Sequence, residues 1–157
     1  MIGKSQSIWN ESMATGIPII DEDHRLFCTL TAAMHDVADG APTNPHHASE
    51  LCDMLLAYLI GHFYREEMAM TAAGQPFYEV CSHKARHDEF LEKAERKIAA
   101  VKLGSPSSLD WLANMGERWI TGHIPFCDKK VFPHMPLRSF DLRPLHVLAI
   151  EALKVRH

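Results

Sequence analysis

Apolar residues recur every three or four positions along four long stretches of the chain, which is the spacing of helices with one buried face. The third stretch shows the pattern at Val80, His83, His87, Phe90, Ala94, Ile98 and Val101. No strand-like alternation of apolar and polar residues competes with it. Because the connections are short, the pattern predicts an all-α protein built as an antiparallel up-down four-helix bundle.

Glycine, proline and acidic residues set the predicted ends of the first three helices. The first is expected over residues 21–39, where the acidic run 21–23 suits a helix N-terminus. The second is expected to start near Pro45 and to end at residue 74. The third begins at Pro76 as its first helical residue and stops before residue 104.

The fourth helix contains a proline, so its path is expected to be irregular. It starts at the caps Ser107 and Ser108 and ends before Pro133. Inside it, Pro125 cannot donate a backbone hydrogen bond to the Thr121 carbonyl. A kink is therefore expected near the end of this helix.

Two segments flank the bundle. Residues 1–20 show no helical period and are expected to form an extended N-terminal arm, anchored by Ile8 and Trp9. Residues 21–132 then form one domain, and residues 133–157 form a C-terminal tail with a short helix. The apolar residues of the tail are Leu142, Leu145, Leu148 and Leu153. They could pack on the domain or dock a partner, and self-packing is expected.

Composition excludes several classes of function. The 157-residue chain has a formal net charge of −4 and no block of Lys or Arg, so nucleic acid is not an expected partner. The longest uncharged apolar stretch, residues 54–64, is too short to span a membrane, and no signal-peptide pattern is present. A soluble, cytoplasmic protein is expected. The four cysteines are scattered, so reduced, buried thiols are expected rather than disulfides or a zinc knuckle.

Histidine is the unusual component, with 11 residues. Five histidines and two carboxylates fall on inward faces of the predicted helices. They are His24 on the first, His62 and Glu66 on the second, His83 and His87 on the third, and His123 and Asp128 on the fourth. The pairs on the second and third helices are four residues apart, which places both members on one face.

Seven buried polar groups need strong compensation, because an unpaired polar group or carboxylate is costly to bury. A single histidine here would be an ordinary hydrogen-bonded core residue. The joint pattern leaves metal ions as the only partners that satisfy all seven. Imidazole with carboxylate suits iron, zinc, copper or nickel, and a helical bundle with bridging carboxylates suits a dinuclear iron site.

Four short motifs carry these residues: D-E-D-H ending at His24, H-F-Y-R-E from His62 to Glu66, H-K-A-R-H from His83 to His87, and H-I-P-F-C-D from His123 to Asp128. Over about residues 8–132 the chain resembles the hemerythrin family, specifically the bacterial hemerythrins. The resemblance implies two non-heme iron ions joined by an oxo or hydroxo bridge and by the two carboxylates. His83, His87 and His123 would saturate one iron. His24 and His62 would hold the other and leave a position open for dioxygen.

Smaller features surround this implied centre. Four apolar residues match positions near the family's ligand pocket: Phe63, Trp119, Ile120 and Ile124. Such a pocket keeps water and protons away from bound dioxygen, although ordinary core packing is compatible with the same residues. Cys28 and Cys127 each follow a ligand histidine by four residues, and the role of a small buried hydrophobe is expected for both. The remaining histidines are assigned to the surface: His35, His46, His47, His134, His146 and His157.

Three classes of function stay open. The leading hypothesis is a non-enzymatic protein for dioxygen carriage, storage or delivery, with azide or nitric oxide as other possible small ligands. The second is a dioxygen or redox sensor that is read by a protein partner through residues 133–157. The third is a di-iron oxidase, peroxidase or nitric oxide scavenger. No further catalytic acid, base or nucleophile is evident beside the ligand set, which counts against an enzyme.

Overall fold

The computed structural model describes residues 8–40 and 46–156, and all regular structure in these ranges is helical. Four long helices form the bundle: α1 Pro18–Ala38, α2 His47–Ala72, α3 Phe77–Lys102 and α4 Pro106–His123. A short helix, α5 (Lys129–Val131), and a terminal helix, α6 (Leu145–Val155), follow them. The predicted all-α four-helix bundle is confirmed.

The four long helices pack in a ring around one core. α1 contacts α2 and α4, and α3 contacts the same two helices. Helices that follow one another in the chain are therefore neighbours, as an up-down bundle requires. Buried apolar side chains from all four helices fill the centre, among them Phe27, Leu59, Phe90 and Leu112. Each such side chain stabilises the fold by about 1.5–3 kcal/mol relative to an exposed one.

α1 begins earlier than predicted, at Pro18, whose fixed φ suits a first helical turn. The Asp21 carboxylate accepts hydrogen bonds from the Thr15 backbone N–H at 2.7 Å and from the Thr15 hydroxyl at 2.8 Å. It also accepts one from the N–H of Gly16, which needs its glycine freedom because its φ is 83°. Glu22 and Asp23 lie beyond the first turn, so their predicted role at the helix N-terminus is wrong.

The starts of α3 and α4 also differ from the prediction by one or two residues. Pro76 caps α3 instead of forming its first residue. α4 begins at Pro106 after the cap position Ser105, because proline tolerates the first turn, where no N–H partner is needed. The predicted capping role of Ser107 and Ser108 is therefore wrong.

The end of α4 departs most from the prediction. Residues Ile124–Asp128 form a π-helical turn, and the helical path continues through α5 into a 3₁₀ turn at Phe132–His134. Pro125 lies inside the π-helical turn, where the simple kink is expected from the sequence. The irregularity at this place is a wider turn, in which the Lys129 N–H donates to the Ile124 carbonyl five residues back.

The N-terminal arm lies on the bundle. Ile8 and Trp9 pack against the core, as predicted. Residues Glu11–Met13 form a 3₁₀ turn, so the arm is not fully extended. Residues 1–7 of the arm and the predicted start of the second helix near Pro45 lie outside the described residues.

The tail packs along α2 through its helix α6. Leu145 packs against the core and Leu148 is completely buried, whereas Leu142 and Leu153 are exposed. Self-packing is therefore confirmed for two of the four leucines and wrong for the other two. Within the described ranges, none of the helices combines the length and the apolar character needed to cross a membrane.

Candidate metal centre

Seven polar side chains meet in the middle of the bundle, and all four long helices contribute to them. They are His24 from α1, His62 and Glu66 from α2, His83 and His87 from α3, His123 from the end of α4, and Asp128 from the π-helical turn. None is more than 7 % exposed. The structure therefore brings together every residue that the sequence selects as a metal ligand.

Glu66 stands between two groups of histidines. Its Oε1 lies 3.1 Å from His62 Nε2 and 3.5 Å from His24 Nε2. Its Oε2 lies 3.3 Å from His83 Nε2 and 3.2 Å from His87 Nε2. One carboxylate oxygen therefore faces each histidine group.

The two carboxylate oxygens of Asp128 also face different histidine groups. Its Oδ2 lies 3.3 Å from His24 Nε2, and its Oδ1 lies 3.3 Å from His83 Nε2 and 3.0 Å from His123 Nε2. The π-helical turn makes this possible, because its hydrogen bonds join residues five apart and Asp128 follows His123 by five. In a regular α-helix, neighbours on one face are three or four residues apart.

Most of these close contacts lack hydrogen-bond geometry. In the described part of the chain, six of the atoms that make these contacts are buried without a hydrogen-bond partner: Nε2 of His24, His87 and His123, Oε1 of Glu66, and both carboxylate oxygens of Asp128. An unpaired buried polar atom costs about 1–3 kcal/mol, so this many atoms need a shared partner. Two groups, joined at Glu66, could each hold a cation: one with His24 and His62, the other with His83, His87, His123 and Asp128. These donors suit iron, zinc, copper or nickel.

The two carboxylates of the cluster keep their charge. Burial opposes ionisation, but the surrounding histidines hold the pKa of Glu66 and of Asp128 below the usual range. Burial acts to lower the pKa of His62, yet Glu66 and Asp23 raise it to about 10. In the same way, Asp128 and Glu66 outweigh burial and raise the pKa of His83 to about 9. A cation that binds here must displace protons from these histidines.

Two carboxylates outside the cluster orient its histidines. Asp23 Oδ2 lies 3.1 Å from His62 Nδ1, and Glu67 Oε1 lies 3.0 Å from His87 Nδ1. An acceptor at Nδ1 selects the tautomer whose Nε2 is free for a metal. Sequence reasoning missed both residues. A signal was present, since each is next in sequence to a residue of the cluster.

The predicted pocket residues are Phe63, Trp119, Ile120 and Ile124. The Phe63 ring stacks on His87 and the Trp119 ring stacks on His123, each with 3.9 Å between ring centroids. The two isoleucines are completely buried. The two aromatic rings therefore lie against the three-histidine group.

The other histidines lie apart from the cluster. His46, His134 and His146 are exposed, and His35 and His47 are half-buried. His157 lies outside the described residues. The surface assignment is therefore confirmed for three of these histidines and only partly for two.

All four cysteines are free thiols. Cys28 and Cys52 are buried, and burial raises the pKa of each thiol to about 11. Cys81 is exposed and Cys127 is half-buried, so the expectation of buried thiols is wrong for these two. Cys127 Sγ lies 3.7 Å from the Arg86 guanidinium.

Comparisons with known proteins point to one family. The family model described as the hemerythrin HHE cation binding domain matches residues 15–135. The bacteriohemerythrin of Stenotrophomonas maltophilia (strain R551-3) is 30 % identical over 119 residues, which cover 74 % of this chain and 73 % of that protein. The bacteriohemerythrin of Methylococcus capsulatus is 25 % identical over 119 residues, covering 76 % of this chain and 88 % of that protein. No solved structure matches the chain significantly.

Proposed function

This chain belongs to the hemerythrin HHE cation-binding family, and we propose that its cluster holds two iron ions and binds dioxygen reversibly. The matched region contains all seven cluster residues. We assign His83, His87 and His123 to one iron. His24 and His62 would hold the other, and Glu66 and Asp128 would be shared by the two ions.

The proposal of two cations rests on the positions of the carboxylate oxygens. Glu66 and Asp128 each direct one oxygen to the side of His83 and the other to the side of His24. A carboxylate that bridges two cations uses one oxygen for each, as in other helical-bundle di-iron sites. A site for one cation needs no such division. Two carboxylates divided in the same sense therefore support a pair of cations.

The protein residues determine what a bound iron pair can do. When bound, ferrous iron supplies the electrons that a small ligand such as dioxygen accepts. The donor set has five imidazoles and only two carboxylates, so it brings little negative charge to stabilise iron beyond the ferric state. Phe63 and Trp119 stack on His87 and His123, and we assign to them, together with the buried Ile120 and Ile124, the role of keeping water from the cluster. These properties favour reversible, non-enzymatic binding over cleavage of dioxygen, and azide or nitric oxide would occupy the same position.

Visible spectroscopy tests the proposal. Protein reduced under nitrogen should be nearly colourless, should gain a ligand-to-iron charge-transfer band in air, and should return to the starting spectrum when oxygen is removed. The cycle should repeat without added reductant. If one exposure instead leaves permanently oxidised protein and every turnover consumes reductant, the oxidase or peroxidase alternative replaces the carrier.

Metal analysis tests the assignment of the ligands. We expect two irons per chain in the parent protein and impaired iron retention in His87→Ala, because that change removes a donor from the three-histidine group. The matched control is His134→Ala, which removes an exposed histidine and should keep the full iron content. One zinc per chain in the parent, or no metal at all, would contradict the di-iron proposal.

A further inference from the structure

Arg65 links the C-terminal segment (residues 137–156) to the metal centre. Its charged side chain is only 1 % exposed. Its Nε donates a 2.8 Å hydrogen bond to Asp23 Oδ2, and its Nη1 donates to the backbone carbonyl of Asp141. A buried guanidinium needs such partners, because a buried charge left unpaired is strongly destabilising. The proposed function makes no use of either bond.

Asp23 extends this link into the cluster. The oxygen that accepts from Arg65 also lies 3.1 Å from His62 Nδ1. The other ring nitrogen, His62 Nε2, lies 3.1 Å from Glu66 Oε1. Paired with Arg65, the Asp23 carboxylate accepts a hydrogen bond from the Nδ1–H of His62 and leaves Nε2 for a cation. His24 has no such support, since its Nδ1 lacks a hydrogen-bond partner within the described residues.

Docking of the C-terminal segment positions the Asp141 carbonyl. At Gly61, beside His62 in the chain, the Leu145 carbonyl approaches α2 so closely that an added Cβ would overlap with it. Glycine is therefore required for this close approach. Leu148, one turn further along α6, is completely buried. The Asp141 carbonyl thus reaches Arg65 while the segment lies on α2.

We propose that Arg65 is a positioning residue that couples docking of the C-terminal segment to cation binding by His62. In the docked segment, the Asp141 carbonyl accepts a hydrogen bond from Arg65 Nη1. Arg65 Nε donates to Asp23 and so keeps that carboxylate beside the His62 ring. When the segment undocks, Arg65 loses the Asp141 carbonyl as an acceptor. Arg65 then holds Asp23 less firmly, and Asp23 holds His62 Nδ1 less firmly. The coupling rests on the proposed function only in that the cluster binds a cation. Because coupling between two sites is reciprocal, cation binding must stabilise docking by the same factor.

Hydrogen exchange of the α6 backbone amides tests this coupling without an activity measurement. Exchange is compared between metal-free protein and protein saturated with ferrous iron under nitrogen. In the parent we expect iron to slow α6 exchange on the order of 10-fold, the size of effect that outer-shell partners have on metal affinity. In Arg65→Met, α6 exchange should be equal with and without iron. A merely structural role would speed exchange in both states and preserve the iron-dependent difference.

Arg143→Ala is the matched control, because Arg143 lies on the same segment and its guanidinium pairs with the side chains of Asp141 and Glu151 at 2.6 and 2.5 Å. Exposed ion pairs contribute little, so the iron-dependent slowing should survive this change. If Arg65→Met fails to fold, Asp23→Asn serves in its place. It keeps the bond between Arg65 and the Asp141 carbonyl but removes the charge that holds Nδ1, so α6 should stay docked without the iron dependence.

The outcomes separate this inference from the proposed function. If the parent binds iron with no change in α6 exchange, the coupling is overturned and the proposed function stands. If Arg65→Met keeps the full iron-dependent slowing, the coupling is also overturned. If the parent binds no iron, the proposed function fails, and the same comparison with Zn(II), which suits the same donors, decides the coupling. Binding of neither ion overturns both.

Discussion

Removing the metal should strongly destabilise the protein. Without a cation, the six buried atoms that face one another in the cluster have no hydrogen-bond partner among the described residues. At about 1 kcal/mol each, the lower end for an unpaired buried polar atom, they would cost about 6 kcal/mol. Domains unfold with free energies of about 5–15 kcal/mol, so this loss is comparable with the whole stability of the fold.

Protonation of the cluster reduces the loss. The pKa of His62 is raised to about 10 and that of His83 to about 9, so both take up protons in the metal-free protein and pair with the carboxylates. If such pairing recovers roughly half of the loss, about 3 kcal/mol remain. At about 2–4 °C per kcal/mol for a domain of this size, the Tm should fall by roughly 6–12 °C.

Calorimetry of three samples measures this difference: protein loaded with ferrous iron under nitrogen, the same protein after chelation, and the chelated protein after reloading. Reloading should restore the Tm. His35→Ala is a matched control, because His35 is half-buried and pairs with Glu117 at 3.0 Å on the outside of the bundle. It should keep the full metal-dependent difference. Equal Tm values for loaded and chelated protein would refute the argument that the unpaired atoms need a cation.

Three further predictions concern protons and water at the same centre. Iron loading at pH 7 should release protons, measurable with an indicator dye in weak buffer, because His62 and His83 hold protons that the cation displaces. The pKa values of both histidines are raised above the usual 6.5, so their protons stabilise the metal-free fold fully at pH values below 6.5. This stabilisation is lost as the pH rises through about 9–10, and the Tm of the metal-free protein should fall there. Ile120→Ala should lower the free energy of unfolding by about 2–5 kcal/mol and should speed autoxidation while iron stays bound. The control is Leu109→Ala, which truncates another buried apolar residue and should lower stability without changing autoxidation. Autoxidation no faster in Ile120→Ala than in Leu109→Ala would reject the pocket role.

Much of the cluster could be predicted because helical spacing is insensitive to helix ends. His62 and Glu66 are four residues apart, as are His83 and His87, so each pair shares a face wherever its helix begins. The starts of α1, α3 and α4 differ from the prediction by up to three residues, and the cluster is unaffected. Element boundaries depend on local capping, whereas the inward face depends on the period of the whole helix.

Asp128 shows where periodicity fails. A residue five positions after His123 does not share its face on an α-helix, so the regular helical period alone does not place Asp128 in the cluster. Pro125 indicates a departure from the α-helix but not its kind, because a missing N–H permits either a kink or a wider turn. The structure has the wider turn, and Asp128 Oδ1 lies 3.0 Å from His123 Nε2 within it.

The link through Arg65 could not be derived from one helix at a time, because its partners Asp23 and Asp141 are 42 and 76 residues away in the chain. One sequence observation nevertheless points to it. Arg65 directly precedes Glu66, so the two side chains lie only about 100° apart around α2, and Arg65 is close to the inward face. A charge at that position requires a buried counter-charge, and Asp23, the neighbour of a ligand histidine, is a candidate. A charged residue near the inward face beside a metal ligand therefore indicates a partner that orients that ligand, and in this chain the same residue also contacts the C-terminal segment.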